Sequence, residues 1–252
     1  EALHPGFDPA EIDEPWKQTD IPAAARAIIE RLKQAERPVV FAGGGVRLSG
    51  AHDLFLQLIE RLGIPVVTGW NAHDVLWNEH PLNCGRPGSM GDRGGNMVTQ
   101  SADFLLILGS RLNIRQVSYN WQSFAREAYK AWVDIDPLEL QKPNVRPDLP
   151  VVADLKDLLP ALIEAAPTAP TPAQQEWLEW SRERCRRYPV VVPEYRVETN
   201  GPCNPYIAME ALFEVLEEGD VVVAGNGSAC VVGFQTAFLK PGQRFWTNSG
   251  CA

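Results

Sequence analysis

With 252 residues, 45% of them hydrophobic and 22% charged, the chain is long enough to bury one large core or two ordinary ones. A formal net charge of −9 and the lack of any basic run argue against a nucleic-acid partner, because phosphate backbones are held by clustered Lys and Arg. No apolar run reaches membrane-spanning length and no charged-then-apolar leader opens the chain, so no membrane partner is expected.

Residues 1–19 hold Pro5, Pro9 and Pro15 among acids without periodicity and read as a linker. Asp20 then suits a helix cap, with Pro22 just inside and Ala25, Ile28, Ile29 and Leu32 on one face. Val39-Val40-Phe41-Ala42 is a short apolar run of the kind buried on both faces of a parallel sheet, and Gly43, Gly44 and Gly45 follow it. Such a strand, glycine turn and helix bring bare backbone amides to a strand's carboxyl end, a nucleotide-site geometry. Two familiar phosphate patterns fail here. Leu48 stands where a dinucleotide fingerprint needs a small residue, and Ala51-His52 stands where a P-loop needs Lys and Ser or Thr.

Leu54, Phe55, Leu58, Ile59 and Leu62 repeat at helical spacing up to Gly63, and Ile64–Thr68 reads as the next strand. Residues 69–96 are loop-like and rich in glycine, a composition that marks functional or mobile segments. A helix over 95–101 leads to the strand Phe104–Leu108, whose carboxyl end carries Gly109-Ser110-Arg111-Leu112-Asn113-Ile114-Arg115. Trp121–Lys130 reads as helix, Ala131–Asp136 as strand, Pro150–Asp154 as a short strand and Leu155–Ala165 as helix. The expected class is therefore α/β: a Rossmann-like parallel sheet over residues 20–166 with helices on both faces.

Residues 167–203 read as a connector, proline-rich at first and then a helix with Trp177 and Trp180 anchoring it to a neighbouring surface. From 204 to 252 a second α/β unit begins: a helix over 205–217, the strand Val221–Ala224, the turn Gly225-Asn226-Gly227-Ser228, a helix from Ala229 and the strand Arg244–Thr247. The start without Met and the stop soon after that strand read as a cut through a domain.

Arg111 and Arg115, at a strand's carboxyl end, are candidates to grip phosphate, against the alternative of surface ion pairs. Asp134 and Asp136 alternate on a strand, so one could accept a ribose hydroxyl; capping the helix after Pro137 is the competing role. Asn226-Gly227-Ser228 offers a second phosphate-binding helix start. The four histidines, His4, His52, His73 and His80, lack metal-ligand spacing, so no metal site is expected and a polar surface role is read for each. The five cysteines, Cys84, Cys185, Cys203, Cys230 and Cys251, are scattered and suit free buried thiols in a reducing cytoplasm.

Taken in order, Arg37–Val46, Gly63–Val67, His80-Pro81-Leu82, Gly88–Gly91, Ala102–Arg111, Val133–Pro137 and Gly250 resemble the central domain and the start of the third domain of thiamine-diphosphate enzymes of the acetolactate synthase type. The match looks closest to members associated with surface-polysaccharide clusters. The resemblance implies a homodimeric or homotetrameric decarboxylase or carboligase of 2-keto acids such as pyruvate, using thiamine diphosphate and Mg²⁺. The central domain of such enzymes holds FAD, ADP or nothing. By resemblance, nucleotide contacts fall on Gly43, Gly44, Gly69, Trp70, Ser89, Met90, Gly109, Arg111, Asn113, Arg115, Asp134 and Asp154, with Gly45 completing the glycine turn. Met90 and Asn113-Ile114 depart from the His and the Asp-Asp favoured by flavin-holding members. Asn226, Gly227, Ser228 and Ala229 take the place of diphosphate contacts, and Ser249, Gly250 and Ala252 approach the pyrimidine cradle. The metal ligands and the catalytic glutamate of the family fall outside residues 1–252, so no catalytic residue is assigned and no turnover is expected of these residues alone. A non-catalytic FAD- or ADP-binding module or scaffold is the competing reading.

Overall fold

The computed structural model describes residues 19–197 and 201–248. The expected linker, apart from Thr19, and Ser249, Gly250 and Ala252 of the expected pyrimidine cradle lie outside the described residues.

Five strands, β1 (Pro38–Ala42), β2 (Val66–Thr68), β3 (Phe104–Leu108), β4 (Tyr129–Asp134) and β5 (Leu149–Val152), form one parallel sheet in the order β2-β1-β3-β4-β5. Val40 of β1 sits opposite Val66 on one side and Leu106 on the other. β1 and β3 are buried at every position, which is why they are continuous apolar runs rather than alternating ones.

Helices cover both faces. α1 (Ile21–Gln34) begins where Asp20 Oδ1 accepts from Ala23 N at 2.9 Å. After β1 come the single turn α2 (Gly45–Leu48) and then α3 (His52–Leu62), which ends at Gly63 with φ +61°, a left-handed cap that suits glycine. α7 (Leu155–Ala165) joins α1 and α3 on this face, packing Ile28, Leu32, Phe55, Leu58, Leu159 and Leu162 on Val40, Leu106 and Val133. On the opposite face, α4 (Arg93–Ser101) and α8 (Pro172–Arg187) set Val98 and Trp177 against Val39, Phe41, Ile107 and Trp132. The expected α/β class with helices on both faces is what the chain adopts.

The stretch 121–130 corrects the expected helix. Trp121–Ser123 makes one 3₁₀ turn, Ala125 has φ +39°, and β4 starts at Tyr129. Phe104 and Tyr129 face each other in the parallel ladder, their rings stacked 6.2 Å apart, so sheet pairing overrides a local helical pattern. β4 ends at Asp134 instead of Asp136, and Asp134 is paired with Val152 of β5. Of two further single turns, α5 (Ile114–Val117), capped by Asn113, was not expected, whereas α6 (Pro137–Leu140), capped by Asp136, is the helix expected after Asp136.

The second unit comprises α9 (Pro205–Val215), β6 (Val221–Ala224), α10 (Ser228–Thr236) and β7 (Arg244–Thr247), with β6 and β7 paired in parallel and Phe213, Ala224 and Phe245 in its core. Val221, Val223 and Trp246 are exposed. It rests on the loop that follows β2: Arg86 donates from Nη1 to Phe234 O at 2.9 Å, and Leu239 N donates to Asn78 Oδ1 at 2.9 Å.

The surface role expected of the histidines fails for two of them. His73 is 1% exposed between Phe234 and Phe245, and His80 is buried against Trp77, its Nδ1 accepting from Leu82 N. His52 is half-buried, with Nε2 2.8 Å from Val75 O, and His4 lies outside the described residues. Cys84 and Cys230 are buried and Cys185 is half-buried, but Cys203 is exposed in the irregular stretch before α9, where no core reaches it; Cys251 lies outside the described residues.

Candidate functional site

The strand order reverses at the boundary of β1 and β3: the chain leaves β1 toward β2 on one side and leaves β3 toward β4 on the other. At such switch points the two loops diverge and leave a crevice at the strands' carboxyl ends. Here the two turns are first fastened together, Gly43 N donating to Leu108 O and Gly45 N to Gly109 O, both at 2.9 Å. Below their divergence opens a cavity of about 580 Å³, within the range of small-molecule sites.

Gly44, Gly45, Trp70, Gly109, Arg111, Asn113, Asp134 and Asp154 line this cavity, so the structure brings together eight of the residues expected there. Gly43, Gly69, Ser89, Met90 and Arg115 do not line it. Gly43 instead serves close backbone approach: a Cβ there would collide with Gly109 O and the Ser110 Cα. A Cβ on Gly69 would meet Gln116 Oε1 and the Phe41 ring. Gly44 is different, since a Cβ there would find only Asn71 O at 3.7 Å. Ser89 N donates to Arg115 O at 2.7 Å, and the Arg115 guanidinium lies 4.9 Å from the centroid of Trp70, so Arg115 holds a cavity wall from behind.

The charged lining is mostly acidic. Asp136 does the capping, its Oδ1 accepting from Leu138 N at 2.8 Å. Asp134 accepts from Asp136 N at 3.0 Å, and burial pushes its carboxyl above the usual carboxylate range, with Glu139 and Asp136 adding to the rise. Asp154 caps α7 through Lys156 N. Arg111 pairs with Glu139 at 3.5 Å and its side chain is mostly exposed, so the ion pair and the place at the cavity both hold for it. Carboxylates accept sugar hydroxyls and a guanidinium grips phosphate, so this donor set fits a nucleotide. Leu48, Asn71, Gln116 and Ile135 also line the cavity and were not singled out. Gln116, between Arg115 and Val117, carried no signal of its own in the sequence; it accepts from Trp70 N and donates to Pro87 O. Leu48, the residue that breaks the dinucleotide fingerprint, is an exposed side chain at the cavity.

Residues 25–162 match the family model described as "Thiamine pyrophosphate enzyme, central domain". The chain belongs to this family. Among its relatives, the probable acetolactate synthase large subunit of Methanocaldococcus jannaschii is 34% identical over 216 residues, covering 86% of this chain and 34% of that protein. The acetolactate synthase of Mycobacterium leprae is 33% identical over 229 residues, covering 89% of the chain and 36% of that protein. The acetolactate synthase large subunit of Corynebacterium glutamicum is 31% identical over 248 residues, 96% of this chain and 38% of that protein. The chain thus spans a little over a third of the length of these relatives.

Outside the matched family domain, Asn226, Gly227, Ser228 and Ala229 form the exposed turn that opens α10. Gly227 has φ +84°, and no heavy atom lies within 4 Å of a Cβ built there, so the turn is open to an approaching group. Among the described residues no cluster of three or more His, Cys, Asp or Glu is placed to hold a metal ion. No helix among them is long and apolar enough to cross a membrane.

Proposed function

We propose that these residues serve as the central part of a thiamine-diphosphate-dependent carboligase acting on 2-keto acids such as pyruvate, with a nucleotide, ADP or the ADP portion of FAD, seated in the switch-point cavity. Membership of the thiamine pyrophosphate enzyme family carries this reading. The likeness to acetolactate synthases over most of the chain supports the carboligase form over a lyase or a free-standing nucleotide module.

When bound, thiamine diphosphate supplies the electron sink that stabilises the carbanion left as a 2-keto acid loses CO₂. The part of this chain in that chemistry is orientation. Gly227 and Ser228 open α10, a helix of nine residues whose first amides suit a diphosphate group. In the central cavity Asp134 and Asp154 would accept ribose hydroxyls and Arg111 would hold phosphate, while Gly44 leaves room for the ligand to approach the backbone. The exposed apolar Val221, Val223 and Trp246 support a second unit that is covered by further structure in the working enzyme. An oligomer acting in the cytoplasm completes the reading.

Pyruvate consumption tests it. A polypeptide that carries this chain together with the flanking portions found in its relatives is expected to release CO₂ from pyruvate only with thiamine diphosphate and Mg²⁺ present. The 252 residues alone are expected to turn nothing over. Cofactor-independent release, or none from the longer polypeptide, overturns the proposal.

A further inference from the structure

The segment Trp70–Asp74 faces two ways. Trp70 and Asn71 line the nucleotide cavity. The same segment carries the second unit: the Trp70 ring lies 4.5 Å from Phe234 of α10, and Asn71 Oδ1 accepts from Thr247 Oγ1 at 2.6 Å. His73 packs edge-on against Phe234 at 5.7 Å and Phe245 at 4.6 Å. Asp74 Oδ2 accepts from Arg244 Nε at 2.6 Å and from Phe245 N at 3.2 Å. Asn71 holds φ +63°, a left-handed conformation that Asn tolerates better than most residues, so the chain bends sharply between cavity wall and docking surface.

A second connection runs through α2. Its Gly45 and Leu48 line the cavity, while its Arg47 donates to Asp74 O and pairs with Asp74 Oδ1 at 3.5 Å. Asp74 is therefore held from the cavity side by α2 and from the other side by β7. A ligand that fixes Gly45, Leu48, Trp70 and Asn71 removes freedom from the same groups that hold β7, and two sites that share ordered groups are coupled without any large movement.

We infer that Trp70–Asp74 is a coupling strap: a nucleotide diphosphate in the cavity orders the carboxyl end of β7, and Asp74 and Thr247 are the positioning residues that transmit it. The inference rests on the nucleotide reading of the cavity. It gives that nucleotide a task in a chain whose expected pyrimidine-cradle residues, Ser249, Gly250 and Ala252, follow soon after β7.

Hydrogen exchange of peptides covering residues 244–248, measured on the whole chain with and without saturating ADP, tests it, with ADP binding followed in parallel by calorimetry. ADP is expected to slow exchange there about tenfold in the wild type. In Thr247→Val and in Asp74→Asn, neither of which changes a cavity-lining residue, ADP still binds but the slowing falls below about twofold. Thr247→Val removes only one hydroxyl from a partly exposed site, so it keeps the test sound if Asp74→Asn fails to fold. Binding without slowing in the wild type, or slowing that persists in the variants, overturns the coupling alone. No ADP binding overturns the nucleotide reading and the coupling with it.

Discussion

The Asp74 carboxylate accepts hydrogen bonds from Arg244 Nε at 2.6 Å and Phe245 N at 3.2 Å, residues 170 and 171 positions further along the chain. With its side chain only 5% exposed, it is a buried acid whose charge is balanced from both units, by Arg47 and by Arg244. Removing it strands two guanidinium groups and an amide together. Asp74→Ala is expected to lower unfolding stability by roughly 3 kcal/mol, because breaking a buried pair leaves uncompensated charge. Arg244→Ala, at a side chain 31% exposed, is expected to cost about 1 kcal/mol. Urea unfolding at neutral pH distinguishes the two.

The three consecutive glycines divide by role. Gly43→Ala drives a methyl into the Gly109 carbonyl and Ser110 backbone, which cannot move without breaking the β1–β3 ladder, and should cost roughly 3 kcal/mol or more. Gly44 has φ −61° and ψ −23°, and its nearest neighbour to a new Cβ is 3.7 Å away. Gly44→Ala should therefore change stability by less than about 1 kcal/mol while weakening a ligand in the cavity. Equal destabilisation by both substitutions would contradict this division.

His73 gives the interface an acid limit. Burial, with the nearby Arg86 charge second, lowers its imidazole to about 3, whereas an unfolded histidine titrates near 6.5. The unfolded chain thus binds one more proton between these values, so the contribution is complete above about 6.5 and is lost as the pH falls toward 3. Between pH 7 and 5 this amounts to about 2 kcal/mol. The difference in stability between the wild type and His73→Leu, followed by urea unfolding at both pH values, should shift by that amount in favour of the variant at pH 5. A difference that stays constant would show that His73 does not titrate on unfolding.

α8 belongs to the central core. Trp177 Nε1 donates to Pro38 O at 3.1 Å, and Gln174 Nε2 donates to Leu32 O at 3.1 Å and Ala35 O at 2.9 Å. Trp177→Ala should cost roughly 3–5 kcal/mol, whereas Trp180→Ala, at a partly exposed ring stacked 4.8 Å from Trp177, should cost about 1 kcal/mol. Thermal unfolding of the two variants checks this.

These elements also show what the amino-acid order reveals and what it hides. β1 and β3 are legible because strands covered on both faces must be apolar throughout, and α1 and α3 because Asp20 and Gly63 end them with specific backbone chemistry. Residues 121–130 differ from the helix their pattern suggests because Phe124, Ala125 and Ala128 suit a helix as well as an irregular buried turn; only the ladder to Phe104 decides. At the site, Asp134 and Arg111 could be placed from strand ends. Gly43 could not be told from Gly44, because the distinction lies in how closely Gly109 approaches across the sheet. His73 and Asp74 were opaque for the same reason: their partners, Phe245 and Arg244, lie in the other unit. Loop polarity suggested a wet surface where the second unit in fact docks.

Calorimetric titration of the chain with ADP tests the central claim most directly. Saturable binding at one site is predicted, weakened roughly tenfold by Arg111→Ala, the loss expected of a charge-assisted contact to phosphate, and weakened again by Asp134→Ala. Titration heats no larger than dilution, or an affinity that neither substitution alters, would contradict it.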